Sequence, residues 1–155
     1  MRRQIWVVGA MGVVAATLLT SCPEPPNYLD GSIGEVFDLK FDEVRIRKYS
    51  ATKELQIEYL KNGDAGKDVV AQITITTPEG GFPKDTEIKL DQVNGKVHRV
   101  APGDDFPAIT EGNIDFSAGG NAVGEQTTGK FSLIFENKRT LRGNFDAKMA
   151  EAITN

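Results

Sequence analysis

Residues 129–147 read Gly-Lys-Phe-Ser-Leu-Ile-Phe-Glu-Asn-Lys-Arg-Thr-Leu-Arg-Gly-Asn-Phe-Asp-Ala. Phe131, Leu133 and Phe135 recur at a spacing of two, which in an extended chain puts all three on one face. Glu136-Asn137-Lys138-Arg139 then turns, and Leu141, Phe145 and Ala147 return with the same spacing. Gly143 stands where the phase calls for an inward side chain, leaving room there for a neighbouring ring or a bend. The stretch predicts an antiparallel hairpin with one apolar face, and so a β protein.

Working back along the chain, the same period recurs. Phe37, Leu39 and Phe41 alternate with Asp38, Lys40 and Asp42, predicting a half-buried strand that Val44 and Ile46 continue after a phase slip at Asp42-Glu43. Leu55, Ile57 and Tyr59 mark a second strand. Lys61-Asn62-Gly63-Asp64-Ala65-Gly66 marks a turn, and residues 69–77 a third strand with Ala71, Ile73 and Ile75 inward. Residues 78–83 are loop. Residues 87–90 and 96–100 flank Val93-Asn94-Gly95, and Asn-Gly between alternating runs predicts a hairpin. After a loop at 101–107, residues 109–118 predict a strand with Ile114 and Phe116 in phase, broken at residues 119–124. Helical spacing occurs only at residues 147–153, too short to stand alone. No long amphipathic helix separates the strands, so a parallel α/β sheet is disfavoured. The expected class is all-β, an antiparallel β-sandwich or, alternatively, a small β-barrel.

The N-terminus has a different character. Arg2 and Arg3 precede an uncharged run at residues 5–19, and Leu19-Thr20-Ser21-Cys22 closes it with small residues and the chain's single cysteine. A basic start, a short apolar core and a small-residue exit make a secretory signal peptide. The alternative, a retained membrane helix, needs roughly 18 to 20 apolar residues, and Gly9 and Gly12 weaken it further. Leu19-Thr20-Ser21-Cys22 resembles the lipobox of bacterial lipoproteins. The resemblance implies cleavage between Ser21 and Cys22, a thioether-linked diacylglycerol on the Cys22 sulfur, and acylation of the new amino group. Two or three such chains anchor a protein durably, since each buried methylene contributes about 0.8 kcal/mol. Pro23 stands where the family commonly places Asp for inner-membrane retention, so the resemblance points to the outer membrane, on either its periplasmic or its surface face. The pattern Gly129-x-Phe131-x-Leu133-x-Phe135 with Leu141-x-Gly143-x-Phe145-x-Ala147 resembles the terminal hairpin of small β-sandwich lipoproteins of some Gram-negative bacteria, which implies a fold and no activity.

The expected organisation is therefore a signal peptide at residues 1–21, a lipidated Cys22 with a Pro-rich tether at 22–32, and a β-sandwich domain at 33–155. Prolines 23, 25 and 26 lack amide donors, so the tether is short and extended. The 134 residues from Cys22 onward are enough for one domain with its own core. With Cys22 lipidated, no thiol is left for a disulfide or a metal. Without Arg2 and Arg3 the mature chain has 16 basic residues against 22 acidic ones, a charge of minus six that disfavours nucleic-acid binding.

Chemistry is sparse. His98, the sole histidine, cannot build a histidine-cluster zinc site and is expected to be an ordinary strand residue. Asn62, Asp64, Gly66 and Asp68 share the spacing of the first calcium-loop ligands, but Lys67 replaces the needed Gly and Ile73 the bidentate Glu, so a plain turn is expected. Asp104 and Asp105, with Asp115 further on, form either an oxygen-ligand site or, as expected, a solvated acidic loop. Serines 32, 50, 117 and 132 lack a nucleophile elbow, and any triad would have to use His98. Residues 119–124, Gly-Gly-Asn-Ala-Val-Gly, resemble a dinucleotide loop but lie between two strands, where a phosphate site is disfavoured. No catalytic residue, metal site or cofactor is assigned. The expectation is a non-enzymatic, lipid-anchored structural or interaction module with an envelope protein as partner. A lipoprotein binding a glycan or small molecule is the alternative, and a hydrolase a remote one.

Overall fold

The computed structural model describes residues 27–64, 66–77, 85–91, 95–100 and 104–154. Ser21 and Cys22 lie outside them, as does the Asn94 half of the expected hairpin turn. The described elements are β1 (Tyr28–Asp30), a 3₁₀ turn (Ser32–Glu35), β2 (Glu43–Tyr49), β3 (Glu54–Gly63), β4 (Gly66–Thr76), β5 (Thr86–Leu90), β6 (Gly95–Val100), β7 (Ile109–Ala118), β8 (Gln126–Phe135) and β9 (Thr140–Ile153). The described residues are nearly all β, as the period-two spacing predicts.

The strands follow one hydrogen-bonded order, β5-β7-β8-β9-β2-β3-β4-β6, with β1 beside β9. The path folds into two layers, β1, β5, β7, β8 and β9 in one and β2, β3, β4 and β6 in the other. The 14-residue β9 serves both: residues 140–148 pair antiparallel with β8, and Met149, Glu151, Ala152 and Ile153 pair with β2. That second pairing is parallel, the one exception to the antiparallel expectation among the described strands. The result is a sandwich joined along β9, a nearly closed barrel whose open seam lies between β5 and β6.

Both hairpin strands from residues 129–147 form with the expected inward faces. Phe131 stands opposite Gly143 and Gly129 opposite Phe145, so each glycine sits under a ring. Lys138 takes a φ of 64° to close the turn. The rings meet others across the core: Tyr59 of the other layer lies 6.1 Å from Phe131, and Phe106, in the segment leading into β7, stacks 5.7 Å from Phe135. Such pairs add to the burial of ring area that dominates the core. The Tyr59 hydroxyl, in the β2–β6 layer, donates to the Asn144 carbonyl of β9 at 2.7 Å and ties the layers together.

Four expectations need correction. Residues 37–41 alternate as expected, with Phe37, Leu39 and Phe41 packed on the core, yet they belong to no strand ladder. Alternation records which side is wet, and it does so whether or not the backbone of the segment joins a ladder. The hairpin expected at Asn94-Gly95 does not pair: β5 takes β7 as its neighbour and β6 takes β4. The two strands lie in different layers, and Leu90 of β5 packs against Gly95 of β6. Residues 147–153, with their short helical spacing, are strand, because the β2 edge supplies a ladder. The sheet also takes in residues 28–30 of the expected tether, and Ile33 is fully buried.

Candidate functional site

The residues singled out in sequence scatter rather than converge. His98 lies in β6 with its Nδ1 3.0 Å from Asp105 Oδ2. Asp105 Oδ1 also accepts from the backbone N–H of Arg99 and Phe106 at 2.6 and 2.7 Å. Partial burial works against the Asp105 charge, but these donors and His98 outweigh it and hold the carboxyl below the usual carboxylate range. Asp105 thereby pins its loop across the β6 edge. An open concavity of 460 Å³ beside this pair is lined by Lys96, Phe106, Pro107 and Glu136 among others, and by no serine among the described residues. Ser32 bonds Thr140, Ser117 donates to the Thr128 carbonyl, and Ser132 stands between Asn113 and Arg142 in the other layer.

The calcium-like spacing folds as a turn. Gly63 pairs with Gly66 at the tip of β3–β4, the Asn62 N–H donates to Asp42, and Lys67 binds Glu43 at 2.6 Å. Asp115 sits in mid-β7 facing Lys130 at 4.0 Å, away from Asp105 and the loop that leads into β7. Among the described residues no three His, Cys, Asp or Glu side chains gather as a metal site would require.

The Gly-rich loop at residues 119–124 does hold an anion, its own. Glu125 Oε2 accepts from the backbone N–H of Asn121 and Ala122 at 2.7 and 3.1 Å. Those bonds lower the Glu125 pKa, and the amides a phosphate would need are already taken. Gly124, with φ of 87°, lets the loop fold back so that its N–H reaches the Met149 carbonyl.

Sequence reasoning missed two polar surfaces. On the outside of the β2–β6 layer, cross-strand register aligns Arg45, Glu58, Gln72 and His98 in one row. Glu58 is 3% exposed although it faces outward, because Arg45 Nε covers it at 2.7 Å and Arg47 Nε lies 3.6 Å away. Burying a carboxylate is costly without such partners. On the other layer the rows are Glu87, Asp115, Lys130, Asn144 and Lys89, Asn113, Ser132, Arg142, Asp30. The first row floors an open concavity of 660 Å³ with Asp85 and Asp146 at its rim. Each side chain is visible in sequence as the polar member of an alternating pair. Their alignment depends on strand order, which no local signal carries.

These surfaces offer charges of both signs on stiff backbones. They suit contact with a polar macromolecular surface better than enclosure of a small molecule. Comparison with family models, with curated proteins and with solved structures finds no match to this chain.

Proposed function

We propose that the chain is a lipid-anchored interaction module of the bacterial envelope, held at the outer membrane through Cys22 and presenting a rigid sandwich to a protein partner. The observation that carries the protein-binding half is the filled space between the layers. Tyr59, Phe116, Phe135 and Phe145 are all fully or almost fully buried there, so among the described residues large rings occupy the space that an enclosed apolar ligand would need. What the fold offers instead is polar outer faces and strand edges, the surfaces proteins use on one another. Support for the anchor is the run Leu19-Thr20-Ser21-Cys22.

Two measurements test this. Radiolabelled palmitate should enter the native chain, and Cys22→Ser should abolish the label and move the protein from the membrane to the soluble fraction. Affinity purification of the anchored protein with mass spectrometry should return a stable envelope partner. A bare thiol on the exported chain, or an unchanged fractionation of Cys22→Ser, would overturn the anchor.

A second reading, a lipoprotein binding a glycan or small molecule, is favoured by an open concavity of 930 Å³ along residues 27–44, where Tyr28, Phe37, Leu39 and Phe41 contribute apolar walls. Clear binding to a sugar or lipid array, with no protein partner recovered, would replace the first reading with this one.

A further inference from the structure

β5 is an edge with an unusual charge arrangement. Its ladder runs to β7, and among the described residues nothing pairs with its other side. Thr86, Ile88 and Leu90 face inward, while Glu87 and Lys89 stand exposed on the outer face. Glu87 is directly opposite Asp115, and like charges in that position repel. Asp115 has Lys130 nearby at 4.0 Å, whereas the partner given to Glu87 is the neutral Asn113 amide at 3.1 Å. Lys89 faces that same asparagine across the ladder and has no ion-pair partner among the described residues. The edge thus carries one surplus negative and one surplus positive charge, two residues apart.

We propose that two copies of this chain join edge to edge through β5, antiparallel and centred on Ile88, into one sheet that crosses both molecules. A two-fold axis at Ile88 sets Glu87 of each copy against Lys89 of the other, Thr86 against Leu90, and Ile88 against Ile88. The outer row then reads lysine, Glu87, Asp115, Lys130, with a cation beside each carboxylate. Register is specified as well. A slide of one residue would turn the inward side chains to solvent. A slide of two sets Glu87 against Glu87 or Lys89 against Lys89, so the charges oppose both neighbouring registers. Such an interface is isologous, the same strand serving both sides, and it closes at two copies. It deepens the interaction-module reading and rests on it for its setting at the membrane.

The test is sedimentation velocity of the full chain in mild detergent over a concentration series. The native chain should show a monomer–dimer equilibrium. Glu87→Lys and Lys89→Glu, made singly, should each weaken it by about tenfold or more. The two single variants mixed together, or both changes in one chain, should restore it. Glu87→Lys removes the repulsion from Asp115, so at concentrations low enough that both chains are monomeric it should melt no lower than the native chain, separating lost pairing from lost folding. A native chain that is monomeric throughout would overturn the proposal, as would a dimer indifferent to the single swaps. A monomer that still retains an envelope partner in the affinity experiment would sink this proposal and leave the broader module standing.

Discussion

Replacing Gly129 by alanine places a Cβ 2.5 Å from Cζ of Phe145 and closer still to the Asp115 carbonyl oxygen. The ring is fully buried, and the carbonyl belongs to the β7–β8 ladder. Gly143 is its counterpart, since a Cβ there lies 2.7 Å from the Tyr28 carbonyl oxygen and 2.9 Å from the Phe131 ring. Overpacked cores lose about 1–3 kcal/mol. Gly129→Ala should therefore lower the denaturant midpoint by that amount with an unchanged slope, and an unaltered midpoint would show that the ring moves aside freely. Gly143 was legible in sequence as an inward position without a side chain. That its space is filled by Phe131 follows from register, which places the two opposite each other.

At the scale of the element, residues 36–41 and β8 have similar alternation and different fates. β8 has a neighbour on each side, β7 and β9, and its backbone groups are consumed in two ladders. The 36–41 segment has the Phe37 N–H on the Ile33 carbonyl and the Lys40 N–H on Asp38, and packs mainly by its side chains. Phe37 meets Phe106 and Phe41 meets Tyr59, edge to face at 5.0 and 4.9 Å. A segment held by side chains over exposed backbone opens locally at little cost. Hydrogen exchange should find the amides of Leu39 and Phe41 exchanging on the order of 10³-fold faster than those of Phe131 and Leu133. Equal protection would require a ladder this architecture lacks. The Asn94-Gly95 pair teaches the same lesson, since a sequence preference for a tight turn does not choose which strand each flanking run will pair with.

Across the whole molecule, the perturbed carboxylates sit on the periphery and share one sign. Asp30 is lowered by Arg142 and the Gly31 N–H, Asp38 by Lys61 and the Lys40 N–H, and Glu125 by the Asn121 and Ala122 N–H groups. Asp105 is lowered as well, its donors outweighing burial. As pH falls, the unfolded chain takes up protons at the ordinary values of 3.8 for Asp and 4.5 for Glu, while the folded groups remain charged. The stability they contribute is complete above those values and drains away through the lowered folded pKa values. The urea midpoint should be flat from about pH 7 to 5 and fall below about pH 4, with a shallower fall in Asp105→Asn. A midpoint that held constant or rose between pH 5 and 3 would refute the assignment.

The sequence by itself marked most of the strands and their inward faces, because both are set by side chains within a few residues of one another, whereas residues 28–30 and 147–153 became strand and residues 37–41 did not only in the assembled fold. It also placed the motif ending at Cys22, a local chemical pattern. Only the tertiary structure decided that β9 would serve both layers, that β5 and β6 would end as separate edges, and that Glu58 would be buried beneath Arg45 and Arg47. Those outcomes depend on strand pairings between segments distant in sequence, such as Ile46 with Met149. The free energy of such a pairing comes from backbone bonds and shared burial that every alternating strand offers alike, so the choice among partners is made by the assembled fold.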